Sequence, residues 1–143
     1  MEKIGLLGAM PQEIELLRRR LNDRSRRECG GITFYEGTLD GRPVALCCAG
    51  MGKAQAAAAV QLLVTVFGAT AIVFSGIAGN MSTRVGIGDV VIGGTVVYHD
   101  GEPRMFAESY PHLEEFHSDA RLVRAAERAC AEAGGKCLVG RIA

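Results

Sequence analysis

The sequence has no excess of either charge: Lys plus Arg and Asp plus Glu each number 16, for a formal net charge of zero. That removes the electrostatic reason to expect nucleic acid or an anionic membrane as the main partner. The one basic cluster, Arg18, Arg19, Arg20, Arg24, Arg26 and Arg27, is local, and its helical part reads as a solvated face. No stretch reaches the roughly 20 apolar residues that a bilayer span needs. The opening MEKIGLLGAM holds too short an apolar run to be a signal-peptide core. No Cys-x-x-Cys or Cys-x-His spacing marks a metal site, and neither a metal nor another cofactor is expected. The five cysteines, Cys29, Cys47, Cys48, Cys130 and Cys137, are odd in number and irregular in spacing, which argues against a disulfide framework. No Gly-x-Ser-x-Gly elbow supports serine hydrolase chemistry. There is no linker, low-complexity tract or internal repeat. These absences leave a reduced, cytoplasmic, soluble protein. Its 143 residues suit one domain over 1–143, and 48% hydrophobic content supplies a sizeable core.

What is present alternates between apolar runs and helical patterns. Lys3 to Gly8 reads as a buried strand. Pro11 suits the first turn of a helix, and Ile14, Leu17 and Leu21 follow at helical spacing. Ile32 to Leu39 and Arg42 to Cys48 flank Asp40-Gly41, a hairpin signal because the tight turn needs positive φ. In the second of these strands the adjacent Cys47 and Cys48 point to opposite faces. Gly50-Met51-Gly52 turns into an Ala-rich helix over Lys53 to Phe67, and Ala71 to Ser75 is another buried strand. Asp89 to Tyr98 is strand-like, with a bulge signalled by Gly93-Gly94. Ser118-Asp119 caps a helix reaching about Ala133, and Cys137 to Ala143 starts one more strand. The pattern implies an α/β fold, a mixed or mainly parallel sheet with helices on both faces. Leu138 to Ala143 reads either as a short edge strand at the terminus or as a strand that should enter a loop, and on the second reading the fold is expected to be truncated at the C-terminal end.

Four features carry possible chemistry. Glu13 follows a strand and lies in the first turn of a helix, where the helix N-terminus favours an ionised carboxylate. It sits where α/β folds place ligands, at a strand's carboxyl end, and a carboxylate there can position and deprotonate water. First-turn glutamates are also common for dipole reasons alone. Ala49-Gly50-Met51-Gly52-Lys53 lets backbone N–H groups approach a ligand, yet it is neither a Walker loop nor Gly-x-Gly-x-x-Gly, and an ordinary tight turn accounts for it. In Phe74-Ser75-Gly76-Ile77-Ala78-Gly79-Asn80 the glycines permit an unusual path against a flat ligand. Tyr98-His99-Asp100 reads more simply as a structural histidine than as catalytic machinery, and His112 and His117 have no partner at metal spacing.

Together these pieces resemble the 5′-methylthioadenosine/S-adenosylhomocysteine nucleosidases. The matching segments are Ile4 to Glu13, Gly50 to Lys53, Ser75 to Gly79, Val85 to Val91 and Tyr98 to Asp100, in the family's order along the whole chain. The resemblance implies a three-layer αβα nucleoside phosphorylase-like fold with a mixed central sheet. It implies a homodimer, and a hydrolase of methionine salvage that releases adenine from methylthioadenosine or S-adenosylhomocysteine. By position, Glu13 matches the carboxylate that activates the attacking water. Met10 and Met51 match apolar positions near the ribose and sulfur, and Ile77, Ala78 and Gly79 match the loop beside the base and ribose. Phe106 matches an aromatic that reaches into the neighbouring subunit's pocket.

Two departures stand out. Ile77 replaces the family's usual Ser, and Glu108 to Phe116 is only loosely similar. The family's later Ser/Thr-Gly-Asp loop, its ribose-holding Met-Glu segment and the Ser-Asp pair whose Asp protonates N7 do not occur in these residues. The active site is therefore expected to be partial, and activity of the chain alone is not expected. Alternatives are a purine nucleoside phosphorylase, for which Arg84 is the nearest phosphate ligand, a futalosine-type nucleosidase, and an inactive truncated binding or assembly module.

Overall fold

The computed structural model describes residues 2–143 and divides into two compact units, 2–79 and 80–143. In the first unit, β1 (Ile4–Gly8), β4 (Arg42–Cys48) and β5 (Ala71–Phe74) run parallel. β3 (Ile32–Leu39) is antiparallel to β4, and β2 (Asn22–Cys29) is antiparallel to β3. The five-stranded sheet is mixed, in the order β2-β3-β4-β1-β5. The Asp40-Gly41 hairpin turn has positive φ at both residues, 49° and 76°, as that turn requires.

Helices cover both faces. α1 (Pro11–Arg20) packs Ile14 against Leu6, Val44 and Leu46, whereas α2 (Lys53–Thr65) packs Ala59 and Leu63 against Leu7, Ala45 and Cys47. Alternate residues of β1 and β4 thus serve opposite cores, which follows from the two-residue period of a strand. Cys47 faces the α2 side and Cys48 packs on the α1 side, as their adjacency predicts. Phe34 and Phe67 stack with ring centroids 4.3 Å apart beneath α2. Burying each of Phe34, Leu46 and Leu63 stabilises the unit by about 1.5–3 kcal/mol.

β2 was not expected from the sequence. Its residues, NDRSRREC, are exposed from Asn22 to Glu28. As the edge of the sheet it needs no buried face, and its arginines discourage pairing with another chain. The basic cluster is therefore shared between a helix end and an edge strand.

In the second unit, β6 (Val90–Val96) is parallel to β8 (Cys137–Ile142) and antiparallel to β7 (Phe116–His117). The register skips Gly94, between Gly93 and Thr95, which is the bulge that the paired glycines signal. α3 (Pro103–Glu108) and β7 are short elements with no signal of their own in the sequence pattern. α4 (Ala120–Glu132) begins at the expected cap: Asp119 accepts from the backbone N–H of Arg121 at 2.7 Å and Leu122 at 3.3 Å. One expectation is corrected. The cysteine count pointed to reduced thiols throughout, but the structure joins Cys130 to Cys137. They lie either side of the α4–β8 turn, which brings residues distant in spacing rules into contact. Among the described residues no helix is long and apolar enough to cross a membrane.

Candidate active site

Because β1, β4 and β5 are parallel and adjacent, their carboxyl ends share one edge of the sheet. The pairing continues just past the strands: Ala49 N–H donates to Gly8 carbonyl oxygen at 2.8 Å, and Ser75 N–H to that of Leu7 at 2.9 Å. The turns 8–10, 49–52 and 75–79 therefore gather at one place, the ligand edge of an α/β sheet.

Glu13 is the tie between two of these turns. Its Oε2 accepts from the N–H of Ala9 at 2.7 Å and of Met10 at 2.8 Å. Its Oε1 accepts from the N–H of Ile77 at 2.9 Å, across 64 positions of sequence. The Ile77 hydrogen bond is the largest cause holding the carboxyl below its ordinary value. Burial opposes the shift, and Met10 and Ala9 add to it. Glu13 is thus ionised at neutral pH. A carboxylate offers about four lone-pair sites. Three are taken here, two on Oε2 and one on Oε1, so the remaining one lies on Oε1 beside the Ile77 turn.

The approach is close because two residues lack side chains. A Cβ on Gly8 would lie 3.0 Å from Glu13 Cβ and 3.0 Å from the Ser75 carbonyl oxygen. A Cβ on Gly76 would lie 2.7 Å from Glu13 Oε1. Gly76 belongs to the turn whose glycines the sequence marked as permitting an unusual path, whereas Gly8, the last residue of β1, carried no such signal. At the third turn Gly50 and Gly52 have φ of 85° and 114°, which lets the chain reverse into α2. Cys48 also supports the site, its Sγ–H pointing to the Ala9 carbonyl oxygen at 3.5 Å.

The other expected residues divide by place. Met10 is half-buried, while Met51 and Ile77, each on one of these turns, expose 74% and 79% of their surfaces. Ala78 and Gly79 follow, exposed. Phe106 belongs to the second unit, where its ring stacks on Tyr98 at 4.5 Å and Tyr98 meets Phe116 edge-on at 5.9 Å. His112 Nδ1 lies 3.0 Å from the Ala107 carbonyl oxygen, and His117 lies 3.4 Å from Glu115, both local contacts. A cleft of about 380 Å³ is lined by Pro11, Ile14, Arg18, Tyr35, Cys48 and Gly50 among others. Glu13 does not line this cleft, although Ala49 and Gly50 of the third turn do. Among the described residues no cluster of His, Cys, Asp or Glu could hold a metal ion.

The Phosphorylase superfamily model matches residues 3–143. The chain belongs to the phosphorylase superfamily. A 5′-methylthioadenosine/S-adenosylhomocysteine nucleosidase of Halalkalibacterium halodurans is 36% identical over 120 residues, 82% of this chain and 52% of that protein. The solved nucleosidase of Neisseria meningitidis, in complex with methylthio-immucillin-A, aligns with a TM-score of 0.91 at 34% identity, covering 99% of this chain and 63% of the other. That of Colwellia psychrerythraea, in complex with adenine, gives 0.92 at 31% identity, covering 98% and 60%. The fold is therefore nucleoside phosphorylase-like with a mixed central sheet, as the motifs implied. The chain spans about half the length of the curated relatives it matches.

Proposed function

We propose that this chain carries the water side of a nucleosidase site that hydrolyses the N-glycosidic bond of methylthioadenosine and S-adenosylhomocysteine. The carrying observation is Glu13: ionised, tied to two turns of the ligand edge, with one lone pair left on Oε1. A water donating to that lone pair is oriented for attack on C1′ of the ribose. As adenine departs with the bond's electron pair, the sugar becomes oxocarbenium-like, and water adds with little demand for a strong base. That suits a carboxylate whose basicity three N–H donors have reduced. Adenine needs its own proton, which by resemblance the family's Ser-Asp pair supplies. Exposed Met51 and Ile77, with Met10, offer apolar surface for a thioether and sugar. The site is read as using neither metal nor cofactor.

Residues 1–143 are read as one domain of this fold, in a cytoplasmic enzyme of methionine salvage. The partners are a small nucleoside and a second copy of the chain, met through the segment Pro103–Pro111. Met105 on α3 and Tyr110 just after it expose 66% and 92% of their surfaces, apolar area of the kind that a partner covers. Sedimentation of the native gene product at micromolar concentration tests the dimer, and a monomer there counts against it.

The names of the relatives weigh against the phosphorylase alternative. Adenine release from methylthioadenosine by the gene product expressed from its own locus tests the function. Release that is independent of phosphate, with free methylthioribose as the second product, is expected. A requirement for phosphate, with a ribose 1-phosphate product, would overturn the hydrolase reading.

A further inference from the structure

The cysteines fall into two groups. Cys47 is fully buried, and burial pushes its thiol up to about 12. Cys29 packs against the α2 core, and Cys48 is directed at the Ala9 carbonyl. Cys130 and Cys137 differ: both are partly exposed and face each other, with Cα atoms 6.4 Å apart, inside the range a disulfide spans. The turn between them reverses at Gly134, with φ of 70°, and the Gly135 N–H donates to the Cys130 carbonyl oxygen at 3.2 Å.

Next to Cys137 stands Lys136. Its Nζ donates to the Arg84 carbonyl oxygen at 2.8 Å and lies 3.0 Å from Asp89 Oδ2. Its own carbonyl oxygen accepts from Val90 N–H at 2.9 Å. Asp89 in turn accepts from Gly86 N–H at 2.8 Å. The loop 84–89 is therefore latched to the residue that the Cys130–Cys137 bond immobilises.

We propose that Cys130 and Cys137 are a reversible redox modification site, closed by low-molecular-weight disulfides and opened by thiols, whose state sets the mobility of the loop 84–89 through Lys136. In closure one thiolate attacks the small disulfide, forming a mixed disulfide and releasing one small thiolate. The second cysteine's thiolate then attacks the mixed disulfide at the protein sulfur and releases the other. The protein loses two electrons and two protons, and the small disulfide is reduced to two thiols. In a compartment that keeps thiols reduced, such a pair senses oxidation rather than serving as a permanent staple. This inference stands independently of the nucleosidase reading.

The purified chain, equilibrated in glutathione buffers from reducing to oxidising and then acid-quenched and alkylated, tests it. Expected is one two-electron transition in which Cys130 and Cys137 become protected together while Cys29, Cys47 and Cys48 stay alkylatable on denaturation. Amide exchange across 84–90 is expected to slow several-fold on oxidation. The Lys136→Met variant should still form the bond but lose that slowing, and Cys137→Ser should match the reduced wild type in every buffer. A stable glutathione adduct at one cysteine, pairing with any other cysteine, or no bond even in oxidising buffer overturns the site. A bond that forms with unchanged exchange across 84–90 overturns the coupling.

Discussion

Glu13 accepts three backbone hydrogen bonds, and a glutamine in its place has only one acceptor oxygen. If that oxygen stays with Ala9 and Met10, the amide nitrogen confronts the N–H of Ile77. Glu13→Gln is therefore expected both to lower hydrolysis by about 10²–10⁴-fold, as loss of a general base does, and to free the 75–79 turn. Adenine release by the native gene product checks the first, and faster exchange of the Ile77 amide checks the second. Unchanged turnover would remove Glu13 from the mechanism. The pH dependence has a definite sign. The folded carboxyl is held below its ordinary value of 4.5, so its contribution is complete above that value and is lost as pH falls through the lowered one. Protection of the Ile77 amide should persist below pH 4.5 and then disappear. Gly8→Ala tests the close approach. The new Cβ meets the backbone oxygen of Ser75, which cannot swing away as a side chain can. A loss of about 1–3 kcal/mol in denaturant stability is expected, typical of overpacking, and a neutral result would mean the strand ends are not held as described. The sequence placed Glu13 in a helix first turn just past a strand's carboxyl end, because both are local signals. It did not reveal the Ile77 contact, which joins residues 64 positions apart.

Elements were legible in proportion to how much of their stability is local. β1, β4 and β5 announce themselves as short apolar runs, and the β3–β4 hairpin by Asp40-Gly41. β2 gave no signal, because an edge strand exposed on both faces has neither an apolar run nor alternation. α3 and β7 span six and two residues and rest on contacts such as Tyr98 on Phe106 rather than on their own pattern. α4 was legible from its cap. The Asp119 carboxyl is lowered to about 2, first by the Arg121 side chain and then by the Arg121 backbone N–H. Its stabilising effect is therefore present above the ordinary 3.8 and fades as pH falls toward 2. Asp119→Ala should lower Tm at neutral pH, and the difference from wild type should close as the pH is taken from about 4 to about 2. A constant difference across that range would show that the cap acts through something other than its charge.

At the scale of the molecule, N-glycosidic hydrolysis asks for two groups whose pKa values are pushed apart, one to hold water and one to protonate the leaving base. Glu13 suits the first of these roles, since three N–H donors keep it ionised and it has no proton to give adenine at neutral pH. A single carboxylate cannot fill both in one transition state. The chain spans about half the length of its curated relatives, and by resemblance the acid and the ribose clamp belong to family segments outside the matched half. Adenine without protonation is a poor leaving group, and a ribose without its clamp loses orientation, which by itself accounts for several kcal/mol of barrier lowering. Purified as residues 1–143, the chain should therefore release adenine from methylthioadenosine at least about 10²-fold more slowly than a full-length relative, the lower end of what one proton-transfer group contributes. Wild type and Glu13→Gln should be indistinguishable in that preparation, because removing the water side matters little when the bond does not break. A coupled assay for adenine at matched concentrations reads both. Turnover within about tenfold of the relative, lost in Glu13→Gln, would require an acid among the present residues and would redirect attention to His99 and Asp100, which neighbour the stacked Tyr98 ring in sequence.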